Sequence, residues 1–88
     1  MVIIGARGFA KEVLEVLIQQ DFKGSIFFFD DVTPNLGKDL FGFPILKSEV
    51  EVLDVFKTDS QFTLGLGNPK HRRYLAEKFE SLGGSLVS

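Results

Sequence analysis

The sequence predicts an α/β fold: a doubly wound, mostly parallel sheet of about four or five strands with three helices. Three observations carry that reading. Short apolar runs such as Val2-Ile3-Ile4 and Ile26-Phe27-Phe28-Phe29 are unbroken rather than alternating, as in strands buried on both faces. Between such runs lie segments whose apolar residues recur at i, i+3 and i+4, the period of a helix. The first run ends in Gly5-Ala6-Arg7-Gly8, a glycine turn feeding directly into a helical period.

Met1 to Ile4 reads as the first strand. From Phe9 to about Gln20, Ala10, Val13, Leu14, Leu17 and Ile18 mark the core face of a helix, with Lys11, Glu12, Glu15 and Gln19 turned away. Asp21 to Gly24 is a turn, and 25–30 is the second strand. Pro34, Asn35, Gly37 and Gly42 make 31–42 an irregular excursion with room for a small hairpin and no expected core. Phe43 to Leu46 is a brief strand, placed at an edge because Pro44 has no N–H for a ladder.

Ser48-Glu49-Val50-Glu51 fits a capping box and starts a second helix running to about Lys57. Gln61 to Gly67 is a strand thinned by two glycines, which implies that something approaches its backbone closely. Asn68-Pro69 supplies the N-cap and first position of a third helix, marked by Tyr74, Leu75, Lys78, Phe79 and Leu82 and closed by Gly83. Ser85 to Ser88 begins a last strand. This order is Rossmann-like, and it places a ligand beyond the carboxyl ends of the strands.

At 88 residues and 9.8 kDa the chain holds one domain, 1–88, with a single core. Ten Phe against one Tyr and no Trp provide bulk without polar tips, so most of them belong inside. A net charge of −2 gives no field that would draw nucleic acid or an anionic membrane. The absence of cysteine removes disulfides and thiolate chemistry and suits a reducing cytoplasm. No apolar run is long enough to insert in a membrane.

Gly5 allows the tight turn and Gly8 a close backbone approach, while the amides of Gly8, Phe9 and Ala10 open a helix whose positive dipole end suits a phosphate. Against the dinucleotide fingerprint G-x-G-x-x-G/A, Gly5 and Ala10 match and Arg7 fails the middle position. Arg7 instead offers a fork of donors to a phosphate. The structural alternative is a glycine turn that serves only to pack helix on strand.

Asp30 and Asp31 end the second strand, beside the glycine loop in a doubly wound sheet. A carboxylate there selects a ligand donor, such as a ribose hydroxyl or the uracil N3–H; an acidic solvated turn is the alternative. Gly67 leaves backbone open to the same crevice, and Asn68 either caps the third helix or reaches the ligand. Lys70, His71, Arg72 and Arg73 sit where cations oppose the helix dipole, which suits an anionic partner or a solvated face paired with Glu77 or Glu80. No metal-spaced cluster, Walker loop or nucleophile elbow appears, and His71 has no patterned partner, so no catalytic residue is assigned.

Ile3-Ile4-Gly5-Ala6-Arg7-Gly8-Phe9-Ala10-Lys11-Glu12-Val13, Phe28-Phe29-Asp30-Asp31, Gly42-Phe43-Pro44-Ile45-Leu46 and Leu64-Gly65-Leu66-Gly67-Asn68-Pro69 with Arg72-Arg73 together resemble one family. It is the N-terminal, PglD_N-like domain of bacterial sugar acyltransferases, which include sialic acid O-acetyltransferase (NeuD) and UDP-N-acetylbacillosamine N-acetyltransferase (PglD). The resemblance implies a Rossmann-like module that binds a nucleotide sugar, usually a UDP-sugar, in surface-glycan or sialic acid biosynthesis. By position, Arg7, Gly8 and Phe9 would hold the ligand, Asp30 and Asp31 would recognise uridine, and Gly67 would line the crevice. Arg7 departs from the small residue that relatives carry.

The resemblance further implies that catalysis, acetyl-coenzyme A binding and a homotrimer belong to a C-terminal left-handed β-helix of hexapeptide repeats. These 88 residues contain none of it, and Ser88 falls where the chain would turn toward the repeats. No cofactor is then expected in this domain. Two other readings stay open: a regulatory NAD- or coenzyme A-binding module, and a non-catalytic interaction domain docking through Lys70 to Arg73.

Overall fold

A computed structural model of the chain describes residues 1–5, 8–30 and 39–87, with the backbone alone for Gly8 and Phe9. The elements follow in the order β1 (Val2–Ile4), α1 (Gly8–Gln19), β2 (Phe27–Phe29), β3 (Asp39–Leu40), β4 (Phe43–Leu46), α2 (Glu49–Phe56), β5 (Gln61–Leu64), α3 (Pro69–Ser81) and β6 (Ser85–Leu86). One six-stranded sheet has the order β3-β4-β2-β1-β5-β6. All pairings are parallel except β3 with β4, so the doubly wound α/β architecture stands.

The chain leaves β1 toward β2 and β4, then returns across the sheet to β5 and β6. Right-handed crossovers in opposite directions put their helices on opposite faces. Accordingly α1 covers Met1, Ile3, Phe28 and Ile45 on one face, whereas Val2, Ile4, Phe29, Leu46, Phe62 and Leu64 pack with Val52 of α2 and Phe79 of α3 on the other. The Phe27-Phe28-Phe29 run therefore feeds both layers, with Phe28 toward α1 and its neighbours toward α2 and α3. Among the phenylalanines whose side chains are described, only Phe41 is exposed.

Local signals set the helix ends. Ser48 Oγ accepts from Glu51 N–H, and Glu51 Oε1 accepts from Ser48 Oγ and from the amide of Lys47, one residue earlier than the box predicts. Helix α1 closes with Asp21 at φ 57°, Asp21 N–H donating to Ile18 O and Phe22 N–H to Leu17 O, a Schellman motif. Helix α3 ends the same way, with Gly83 at φ 99° donating to Glu80 O and Gly84 to Phe79 O. Lys78 Nζ meets Glu49 at 3.0 Å and joins the two helices of one layer.

Several expectations need correction. β4 is not an edge strand, because β3 pairs outside it; Pro44 is tolerated since it stands opposite Asp39 and one residue ahead of the first β2–β4 pair, Phe28 with Ile45. The hairpin of the excursion is real, and it does contribute to the core through Leu40, which packs against the α1-side cluster. Ile18, assigned to the core face of α1, is 58% exposed. It lies at the flank of a helix that has a sheet on one side only. The strand from 61 stops at Leu64, and 65–68 is loop. Asp31 to Lys38 and Ser88 lie outside the described residues.

Candidate functional site

Gly5 leaves β1 at φ 113°, in the left-handed region, where a side chain is disfavoured. Its N–H donates to Phe29 O at 2.8 Å, and on the other side Gly65 N–H donates to Ile4 O at 2.8 Å. The turn is thus held between the ends of β2 and β5. A Cβ on Gly5 would lie 2.7 Å from Gly65 O, and one on Gly65 would lie 2.7 Å from Ala10 Cα. Two glycines let the first turn of α1 settle on the ends of β1 and β5. What approaches the glycine-thinned strand is therefore the chain's own first helix.

Asp30 follows β2 at the same edge. Its N–H donates to Leu46 O at 3.1 Å, so its backbone continues the β2–β4 ladder. Alternation along the strand puts Asp30 on the α1 face with Phe28. The Gly5 bond to Phe29 O, one peptide before Asp30, holds the carboxyl ends of β1 and β2 together at one corner of the sheet. Of the other residues singled out, Gly8 and Phe9 open α1, whereas Arg7 and Asp31 lie outside the described residues.

Gly67 and Asn68 follow β5 at the carboxyl edge, both exposed. Asn68 Oδ1 accepts from Lys70 N–H at 3.0 Å and His71 N–H at 3.1 Å, the N-cap geometry expected from Asn-Pro. The basic run then divides. Arg72 Nη1 donates to Leu66 O at 2.8 Å and Leu64 O at 3.4 Å, bracing the loop that carries Gly67. These carbonyls offset the dipole penalty of a cation near a helix start. Arg73 Nε meets Glu77 at 3.4 Å, and Lys70 and His71 face solvent. The bracing role of Arg72 was not visible in the sequence, since its acceptors are backbone carbonyls.

A cleft of about 420 Å³ opens on the far flank of α1, lined by Glu12, Val13, Val16, Thr63, Arg72 and Val87 among others. Among the described residues no helix crosses back over β5 and β6 on that face, so Thr63 and Val87, in the row that continues from Ile3, are only half-buried. At the opposite, amino edge of the sheet, the Met1 ammonium donates to Asp59 Oδ2 at 2.6 Å and to Ser25 O at 2.9 Å. Partial burial pushes the Asp59 carboxyl up, but the hydrogen bond and charge of the ammonium and the Gln61 N–H outweigh it and hold the carboxyl below its ordinary value. Among the described residues no group of three metal-ligating side chains gathers, and no helix is long and apolar enough to cross a membrane.

A doubly wound sheet with its glycine turn pinned where the strand order reverses defines a Rossmann-like α/β domain. The family model described as the PglD N-terminal domain matches residues 1–79, and the chain belongs to that family, a domain of sugar acetyltransferases. Comparison with curated proteins and with solved structures found no match.

Proposed function

We propose that this domain binds a nucleotide sugar, a UDP-sugar, as the acceptor substrate of a sugar acetyltransferase. The observation that supports the reading is the bond from Gly5 N–H to Phe29 O, which joins the end of β1 to the peptide just before Asp30. In this reading the amides of Gly8 and Phe9 receive the diphosphate at the helix start, with Arg7 adding charge. Asp30 and Asp31 accept from the uracil N3–H or a ribose hydroxyl, and Gly67 and Asn68 border the same edge. The acetyl group comes from acetyl-coenzyme A in a left-handed β-helix domain that also builds a trimer, and the reaction belongs to the cytoplasm, where both substrates form.

Titration of the labelled domain with UDP, NAD and coenzyme A, followed by amide shifts, tests the reading. UDP is expected to move Gly5, Gly8 and Asp30 at lower concentration than the other two. Asp30→Asn and Asp31→Asn should each weaken UDP binding by roughly 1–3 kcal/mol, the cost of losing a charged acceptor. Preference for NAD or coenzyme A would assign a regulatory module instead, and silence toward all three at millimolar concentration would leave an interaction domain.

A further inference from the structure

The two edges of the sheet differ. β3 carries Asp39 and stops at the turn of Phe41 and Gly42, where both φ are positive, 52° and 83°, so a charge and a sharp bend close that edge. At the other edge, β6 and the residue after it, Ser85-Leu86-Val87, have neither charge nor proline. Ser85 N–H donates to Ser60 O and Val87 N–H to Phe62 O, so these two residues turn their backbone toward β5. Leu86 between them points its N–H and C=O away from the sheet, and its side chain is 41% exposed. A bare strand edge of this kind is a template for another strand.

α3 joins β5 to β6 and has α2 on one side, so its other flank lies toward the free edge. Lys78 turns toward α2 to reach Glu49, and Arg73, Ala76 and Glu80 stand close to half a turn from it around the helix, on the edge flank. Arg73 and Glu80 are exposed, and the small Ala76 between them is half-buried. Along the helix this flank runs cation, small residue, anion. Turned about a two-fold axis beside Ala76, Arg73 falls opposite Glu80 of a second copy, and Glu80 opposite the Arg73 of that copy. The contact of Arg73 with Glu77 in its own helix, 3.4 Å and exposed, leaves the guanidinium room for a second carboxylate. Strand edge and helix flank lie at one level of the sheet: Phe79 of α3 packs on Phe62 at 5.9 Å, and Phe62 is the register partner of Leu86.

We propose that this edge is a self-association surface, on which two copies pair β6 with β6 antiparallel about a two-fold axis. Leu86 N–H and C=O exchange two bonds with those of the second copy, and the sheet runs on unbroken from one copy into the other. α3 of each copy lies antiparallel along the other, with Arg73 meeting Glu80 across the axis.

Sedimentation of the chain from micromolar to millimolar concentration tests the pairing, with melting temperature recorded for each variant. A two-chain species is expected to grow with concentration, and the Leu86 amide to exchange more slowly in it. Leu86→Pro removes an N–H that β5 does not use, so the fold should hold while association weakens about 10-fold with the loss of two bonds. Arg73→Glu and Glu80→Arg each turn two attractive pairs into like-charge ones and should weaken association by about 10-fold. The doubly exchanged chain, Arg73→Glu with Glu80→Arg, should recover it. Within one helix the two positions are about 10 Å apart along the axis, too far to pair, so recovery reports contact between copies. A single-chain mass at millimolar concentration, a trimer, a dimer whose Leu86 amide exchanges freely, or a double exchange that fails to recover overturns the proposal.

Discussion

Gly65 and Ala10 are in backbone contact. A Cβ added to Gly65 would sit 2.7 Å from Ala10 Cα and 3.1 Å from Ala10 Cβ and N. The end of β5 and the first turn of α1 are thus separated by a hydrogen atom's width, and the position of the helix start depends on it.

Gly65→Ala should be among the more damaging single changes. The clash is with backbone, which cannot rotate aside, so overpacking of about 1–3 kcal/mol is expected, with α1 displaced at its N-terminus. Gly83→Ala is the comparison: nothing lies within 4 Å of its Cβ position, and only the cost of a left-handed residue applies. Urea midpoints of the two variants, with amide shifts at Gly8 and Ala10, would separate a packing effect from backbone strain.

Arg72→Met keeps the apolar stem and removes both bonds to the Leu64 and Leu66 carbonyls. A loss of about 1–2 kcal/mol follows from two exposed or half-buried charge-assisted bonds. Arg72→Lys should recover only part of it, because one ammonium cannot reproduce the planar fork. The amides of Leu66 and Gly67 should shift and exchange faster in both, whereas those of α2 should not change.

Asn68→Ala should cost about 1 kcal/mol by uncapping two amides of α3, while Asn68→Asp, which keeps the acceptor and adds favourable charge at a helix start, should match or exceed the parent in thermal denaturation.

Asp59 makes stability fall in acid. Its folded carboxyl titrates below the ordinary value of 3.8, so its ionised form stabilises the fold above that value and the contribution disappears as pH falls through the lower, folded value. Asp59→Asn should therefore be less stable than the parent by about 1 kcal/mol near neutral pH, the two curves converging in acid as pH falls below 3.8 through the lower, folded value. Urea midpoints across that range would show it, and curves that stay parallel would assign the ion pair no share in stability.

Much of the fold was legible because it is written in local chemistry. The period change after Gly8, the Ser48 and Asn68 caps and the Gly83 closure each satisfy backbone groups within a few residues, so their signal lies in the nearby chain. Pro44 misled because a missing N–H says that one pairing is absent and not which strand is outermost. Ile18 misled because periodicity marks a stripe and not how far the opposing sheet extends. In the candidate site, Gly5 and Asp30 lie at the ends of β1 and β2, as the strand order implied. The bracing by Arg72 was hidden because its partners are backbone carbonyls six and eight residues earlier, and the Phe41-Gly42 turn because it is recognisable only once both φ values are known.

By itself the sequence determined the three helices, the mostly parallel sheet and the family, since each follows from apolar period, capping residues and ordered motifs along the chain. Tertiary structure alone decided what the glycines are for. Gly5 and Gly65 lie 60 positions apart in sequence, yet both give up a side chain so that β1, β5 and α1 can close to contact at one point. Contact between remote segments is a property of packing in three dimensions, where excluded volume is shared, and a linear pattern records only that each position is small.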